Sequence, residues 1–198
     1  MSADHGMPPT TTGAPLDATD APLDTTGAWL VVIDMQHVFT GDSPWSTPGY
    51  DRAAAAIERL LCRFPDRVVR TRFVAPEHPT GAWVDYYREW PFALVPADDP
   101  VYDLTEPLAA LDGPVVTATS FGKWGSSLQA VVGEHPHLVL AGVSTDCCVL
   151  STALAAADAG VRVTVVADAC AGASDADHAR ALDAMRLYAP LVTVVDTL

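Results

Sequence analysis

Six apolar runs punctuate the chain: WLVVI (29–33), RVVRTRF (67–73), PVVTATS (114–120), HLVLAG (137–142), VRVTVVA (161–167) and LVTVV (191–195). Most are continuous rather than alternating, as strands buried on both faces must be. Between most of them lie stretches of helical texture: DRAAAAIERLLCRF (51–64), SSLQAVVG (126–133), CCVLSTALAAADAG (147–160) and SDADHARALDAMRLYA (174–189). Strand-helix alternation specifies a parallel sheet with helices packed on both sides. The predicted fold is therefore α/β, a three-layer α/β/α sandwich around a mostly parallel, Rossmann-like sheet of six strands. In the first helix, Ala54, Ile57, Leu60 and Leu61 approximate one apolar stripe, and Cys62 is expected to pack with it.

At 198 residues the chain can bury a substantial core as one domain. Residues 1–27 are rich in Pro, Thr, Asp and Gly and repeat APLDAT as APLDTT. Such a segment cannot bury enough apolar surface to offset its ordering entropy, so it is predicted to be a flexible tail, with a partner-binding arm as the alternative. The folded domain is expected over 28–198. The whole chain's formal charge of −14 opposes a nucleic-acid partner, which would need clustered Lys and Arg. No apolar run approaches the ~18 residues of a membrane span. The start, MSADHGMPP, has no basic-then-apolar leader, so a soluble, cytoplasmic protein is expected.

One segment breaks the pattern. APEHPTGAWVDYYREWPFALVPADDP (75–100) crowds Trp83, Tyr86, Tyr87, Trp90 and Phe92 into an apparently irregular loop. Loops of that length are usually functional or disordered, and this one is too aromatic for disorder. Two readings stay open: a satellite cluster or subunit contact, and a lid over a small-molecule pocket.

In doubly wound sheets, ligands bind beyond the carboxyl ends of the strands. There the sequence places Asp34 after the first run, Lys123 in FGKWGSS after the third, and the pair Cys147/Cys148 after the fourth. A thiol is mostly protonated at neutral pH, so a nucleophilic cysteine needs a helix N-terminus, a cation or a nearby general base. Amides in the turn at 144–148 would then receive a developing oxyanion, which is acyl-transfer chemistry. Residue by residue, each also has a plain structural reading as turn, solvated loop or packing.

The three blocks together carry more weight. WLVVIDMQHVF resembles the DxQxxF opening of the isochorismatase-like cysteine hydrolases, FGKWGSSL resembles their lysine loop, and AGVSTDCCVLSTALAAADAGVRVTVVADAC is similar to their GVxTDxCVxxTAxDAxxxGxxVxVVxDA signature. The likeness spans about 28–198 and departs at Ala156 and Ala157, away from the cysteines. It implies the isochorismatase fold, Cys148 rather than Cys147 as nucleophile, Asp34 as base and Lys123 as electrostatic partner. It also implies a cis peptide at Val143–Ser144 that turns the amides of Ser144 and Cys148 towards the oxyanion. Thr145 or Asp146 is the expected helix N-cap.

Phe39, Trp83 and Trp124 are candidate walls of the substrate pocket. No cofactor is expected. The resemblance implies a metal only where a relative, such as a nicotinamidase, carries a DxH pattern; VRTRFVAPEHPTGAW lacks it and His78 alone is too few ligands, so no metal is expected. His178 is expected to be structural. The implied activity is hydrolysis of an amide, ureido or carbamoyl C–N bond in a small molecule through a thioester. The alternatives are a vinyl-ether hydrolase and a non-catalytic binding member. The resemblance further implies a homo-oligomer, dimer or tetramer.

Overall fold

The computed structural model describes residues 24–134 and 136–198; most of the predicted 1–27 tail lies outside the described residues. Among the described residues, the strands are β1 (Trp29–Ile33), β2 (Val68–Phe73), β3 (Val115–Ala118), β4 (His137–Val143), β5 (Arg162–Ala171) and β6 (Val192–Val195). They form one sheet in the order β3-β2-β1-β4-β5-β6, with every neighbouring pair parallel. The α-helices are α1 (Tyr50–Leu61), α2 (Trp83–Glu89), α3 (Ser126–Val132), α4 (Leu150–Asp158) and α5 (Asp175–Arg186). Chain order reverses between β1 and β4, so a crevice opens beyond their carboxyl ends.

Alternate residues of β1 feed two cores. Leu30 and Val32 pack with Ala53, Ala56, Ile57 and Leu60 of α1, together with Tyr87 and Tyr102. Val31 and Ile33 join Leu128, Ala153, Ala156, Leu182 and Met185 from α3, α4 and α5. Three layers result, as the continuous apolar runs require. The buried stripe of α1 is Ala53, Ala56, Ile57 and Leu60, a spacing of three, four and seven. Ala54 and Leu61 are only partly buried, one step round the helix from the expected line, and Cys62 is exposed rather than packed.

Two local departures shape the crevice. β5 runs longer than its apolar run suggested, to Ala171, and its pairing with β4 shifts between Leu140 and Gly142. Gly142 has φ 122°, and a Cβ there would sit 2.1 Å from the Ile33 carbonyl oxygen. Only glycine lets β4 approach β1 this closely just before the turn that carries the cysteines.

The aromatic segment is not irregular: its centre forms α2, followed by a 3-10 turn at Pro91–Ala93. Tyr87 is buried while Trp83 and Tyr86 pack against the first core. Burial of these rings supplies the order that the Gly- and Pro-flanked sequence does not advertise.

Replacing Gly142 with alanine adds a backbone clash to an unfavourable φ. The expected loss is more than ~3 kcal/mol of unfolding free energy, measured by urea denaturation.

Candidate active site

Asp34 follows β1 directly and adopts φ 51°, a left-handed conformation that Asp tolerates better than most residues. Thr71 of β2 holds it there. Its Oγ1 accepts from Asp34 N at 3.2 Å and donates to Asp34 Oδ1 at 2.5 Å. Two residues on, Gln36 is fully buried and locks the end of β1 to the end of β2. Its Nε2 donates to the carbonyls of Phe73 and Tyr102, and its Oε1 accepts from Phe73 N. The turn after β1 is thus fixed by partners from distant segments.

Lys123 reaches the same place from the loop between β3 and α3. Its Nζ lies 2.8 Å from Asp34 Oδ2, and both side chains are completely inaccessible to solvent. Nζ also donates to Ser120 O at 2.8 Å and stands 5.4 Å from the centre of the Phe73 ring. Burying such a pair is costly, and the bonds from Thr71 to the carboxylate and from the ammonium to Ser120 O offset part of that cost.

The third strand end supplies the thiol. β4 leads through a cis peptide, Val143–Ser144, into a wide π-type turn, Thr145–Val149, which continues as α4. Cys148 is buried in this turn. Burial pushes its thiol pKa well above the usual value; the Asp34 charge adds to that, while Lys123 opposes it. Helix position and lysine therefore do not leave a standing thiolate: the resting sulfur keeps its proton beside a carboxylate able to take it. Cys147, its neighbour, is lifted to about 11, chiefly by burial and then by Asp146.

Other residues brace the turn. Thr152 Oγ1 donates to Cys148 O at 2.6 Å and accepts from Lys123 N at 3.0 Å, tying the lysine loop to the cysteine helix. Thr145 Oγ1 bonds His178 Nδ1 at 2.8 Å, which gives His178 a structural partner. Asp146 Oδ1 accepts from Ser144 Oγ and from Ala173 N. Neither Thr145 nor Asp146 caps the helix as expected. Ser144 holds the N-cap position but its side chain makes no capping bond, and the two other side chains are turned towards α5 and the end of β5.

Cys148 sits in a pocket of about 450 Å³. Phe39, Trp45, Phe73, Tyr86, Trp90 and Phe121 wall it, and Ser46, Thr47, Ser144, Asp146, Cys147 and Ala173 complete it with Pro44. Trp45 packs against Phe92 at 4.9 Å and Phe73 at 5.7 Å between ring centres, so the wall is one aromatic cluster. Of the three candidate wall residues, Phe39 lines the pocket. Trp83 stands behind it, its ring 5.1 Å from that of Phe121, and Trp124 packs into the second core.

Trp45, Phe73 and Phe121 were not singled out from the sequence, whereas Tyr86 and Trp90 belong to the aromatic segment for which a pocket lid was one of two readings. Thr71 and Thr152 also escaped notice, because a threonine in a strand or helix carries no spacing signal of its own. Among the described residues, no three His, Cys, Asp or Glu side chains gather as a metal site, and His78 is exposed outside the pocket. The described residues therefore offer no donor set that fits a bound metal.

A parallel α/β sheet with acid, ammonium and thiol converging at its switch point defines a narrow class. The Isochorismatase domain family model matches residues 28–197. The chain belongs to the isochorismatase family. It is 38% identical over 89 residues to isochorismatase domain-containing protein 2 of Xenopus laevis, a match covering 43% of each chain. The match thus spans less than half of that relative's length.

Among solved structures, the fold resembles a cysteine hydrolase from Pseudomonas syringae pv. phaseolicola, with TM-score 0.73, 20% identity, and 88% and 90% of the two chains covered. It also resembles a nicotinamidase from Bacillus subtilis, with TM-score 0.67, 19% identity, and 86% and 99% covered. Among the described residues, no helix is long and apolar enough to cross a membrane.

Two outcomes test this geometry. Lys123→Met strands the Asp34 charge in the interior and should cost ~3–5 kcal/mol of stability. Adding Asp34→Asn to it should recover much of that loss, as read by urea denaturation. Separately, burial raises the thiols of Cys147, to about 11, and Cys170, to about 12, and the Tyr50 phenol, to about 12. The folded chain keeps these protons after the unfolded chain has released them, so stability falls with rising pH. Urea midpoints should decline from near the ordinary thiol value of 9.0 upward through about 12.

Proposed function

We propose that the protein is a cysteine-dependent hydrolase that cleaves the C–N bond of a small amide, ureido or carbamoyl compound. One observation carries this reading: the buried Asp34–Lys123 pair lies close to the buried Cys148 thiol at an apolar pocket. Packing alone gives no reason to collect an acid, a base and a sulfur in one dry site, whereas a nucleophile that must be activated on demand requires all three.

In the proposed cycle, Asp34 takes the Cys148 proton as sulfur attacks the carbonyl carbon. Lys123 balances the negative charge that the pair carries, and the amides of Ser144 and Cys148 receive the oxyanion. Collapse breaks the C–N bond, and the departing nitrogen takes the proton from Asp34. A water then attacks the thioester carbonyl while Asp34 accepts its proton. The acid leaves, and the proton returns to sulfur. Thr71 and Thr152 position the carboxylate and the helix during both halves.

The test is turnover of a panel of amides, ureido compounds and isochorismate by wild type and variants. Cys148→Ala and Asp34→Asn should each lower ammonia release by at least ~1,000-fold. Wild type quenched during turnover should show an acyl adduct by intact mass that is absent from Cys148→Ala. Isochorismate turnover that survives Cys148→Ala would instead point to vinyl-ether cleavage without a thioester, and the absence of any turnover by wild type would leave a binding protein.

A further inference from the structure

The pocket has a one-sided charge balance. Its walls are the rings of Phe39, Trp45, Phe73, Tyr86, Trp90 and Phe121, and none of its described lining residues is Lys, Arg or His. The one charged residue in the lining is Asp146. Lys123 is shut away from it: its side chain is wholly buried, its Nζ is engaged by Asp34 and Ser120 O, and the Phe73 ring lies beside it. The imidazole of His178 is engaged by Thr145 and does not line the cavity.

Asp146 is held in a way that leaves half of it available. Both fixed donors, Ser144 Oγ and Ala173 N, bond to Oδ1. The other oxygen, Oδ2, has the weak Cys147 thiol, at 3.8 Å, as its only donor among the described residues. A ligand carboxylate entering here would lose its water, meet no cation and face Asp146 within a chain whose formal charge is −14. Each of these opposes binding.

Resting on the hydrolase reading above, we propose that the substrate is an uncharged or cationic amide with a flat aromatic or similarly apolar body. We further propose that Asp146 excludes substrates bearing a carboxylate. The volume, about 450 Å³, lies in the lower half of the range, ~300–1,000 Å³, typical of small-molecule sites. Aromatic walls supply stacking area, and Asp146 Oδ2 offers an acceptor for an N–H or ammonium group. Carboxylate-bearing ureido and carbamoyl acids, although they carry a cleavable C–N bond, do not fit this lining.

Benzamide, its para-carboxylate and its para-aminomethyl analogue share a ring and differ in charge. With wild type, kcat/KM for benzamide should exceed that for the carboxylate by at least ~100-fold, with the aminomethyl compound within about tenfold of benzamide. Binding of the three to Cys148→Ala, followed by calorimetry, should show the same order without depending on turnover.

Asp146→Asn keeps an acceptor oxygen for Ser144 and Ala173 while removing the charge. It should narrow the gap between benzamide and the carboxylate by about tenfold. Equal binding or turnover of the carboxylate, or no binding of any of the three, overturns the proposed substrate class, and an unchanged gap in Asp146→Asn overturns the role of that residue. The two readings fail separately. A Cys148 thioester formed readily from the carboxylate sinks the charge selection and keeps the hydrolase. The expected binding order with no turnover of any amide keeps the selection and sinks the hydrolase.

Discussion

A carboxylate and an ammonium, both fully excluded from water, meet at 2.8 Å between the ends of distant strands. Neither charge is tolerable there alone, so the loop after β1 and the loop after β3 must close on each other for the chain to fold. The rest of the site is arranged around that necessity. Thr71 turns one carboxylate oxygen away, towards β2, leaving the other for the lysine. Thr152 draws the lysine backbone to the helix that bears Cys148. The sulfur thereby arrives next to a pair already in place.

The same dryness that makes the ion pair obligatory governs the thiol. Burial and the Asp34 charge disfavour thiolate, and Lys123 works against them. In the proposed cycle, a thiol held in this way stays latent until a carbonyl occupies the pocket. The aromatic wall contributes by holding water out, and α2, with the turn before α1, delivers much of that wall. The fold places the chemistry at the strand ends, while the irregular segments between strands decide what can reach it.

Much of this was legible from spacing. Continuous apolar runs placed the strands to within a few residues, and their alternation with helices indicated a parallel, three-layer arrangement. The reactive residues stood out because each follows a strand at its carboxyl end, where an open α/β sheet binds ligands. Other features were hidden for specific reasons. The stripe on α1 shifted by one position because an alanine-rich helix offers several nearly equivalent faces, and burial against β4 and β5 chose among them. Cys62 faces solvent for the same reason. Thr145 and Asp146 have the chemistry of N-caps, but tertiary partners, His178 and Ala173, hold both side chains.

By itself, the order of residues determined the layer architecture, the family resemblance and which acid, amine and thiol are available, because periodicity and motif spacing are properties of the linear chain. Tertiary structure alone decided that the acid and amine meet as a dry ion pair, that burial disfavours the Cys148 thiolate, and that Trp45 and Phe121 rather than Trp83 and Trp124 face the cavity. Those outcomes depend on distances between segments far apart in the chain and on how completely water is removed from between them, and neither quantity is written in any local stretch of sequence.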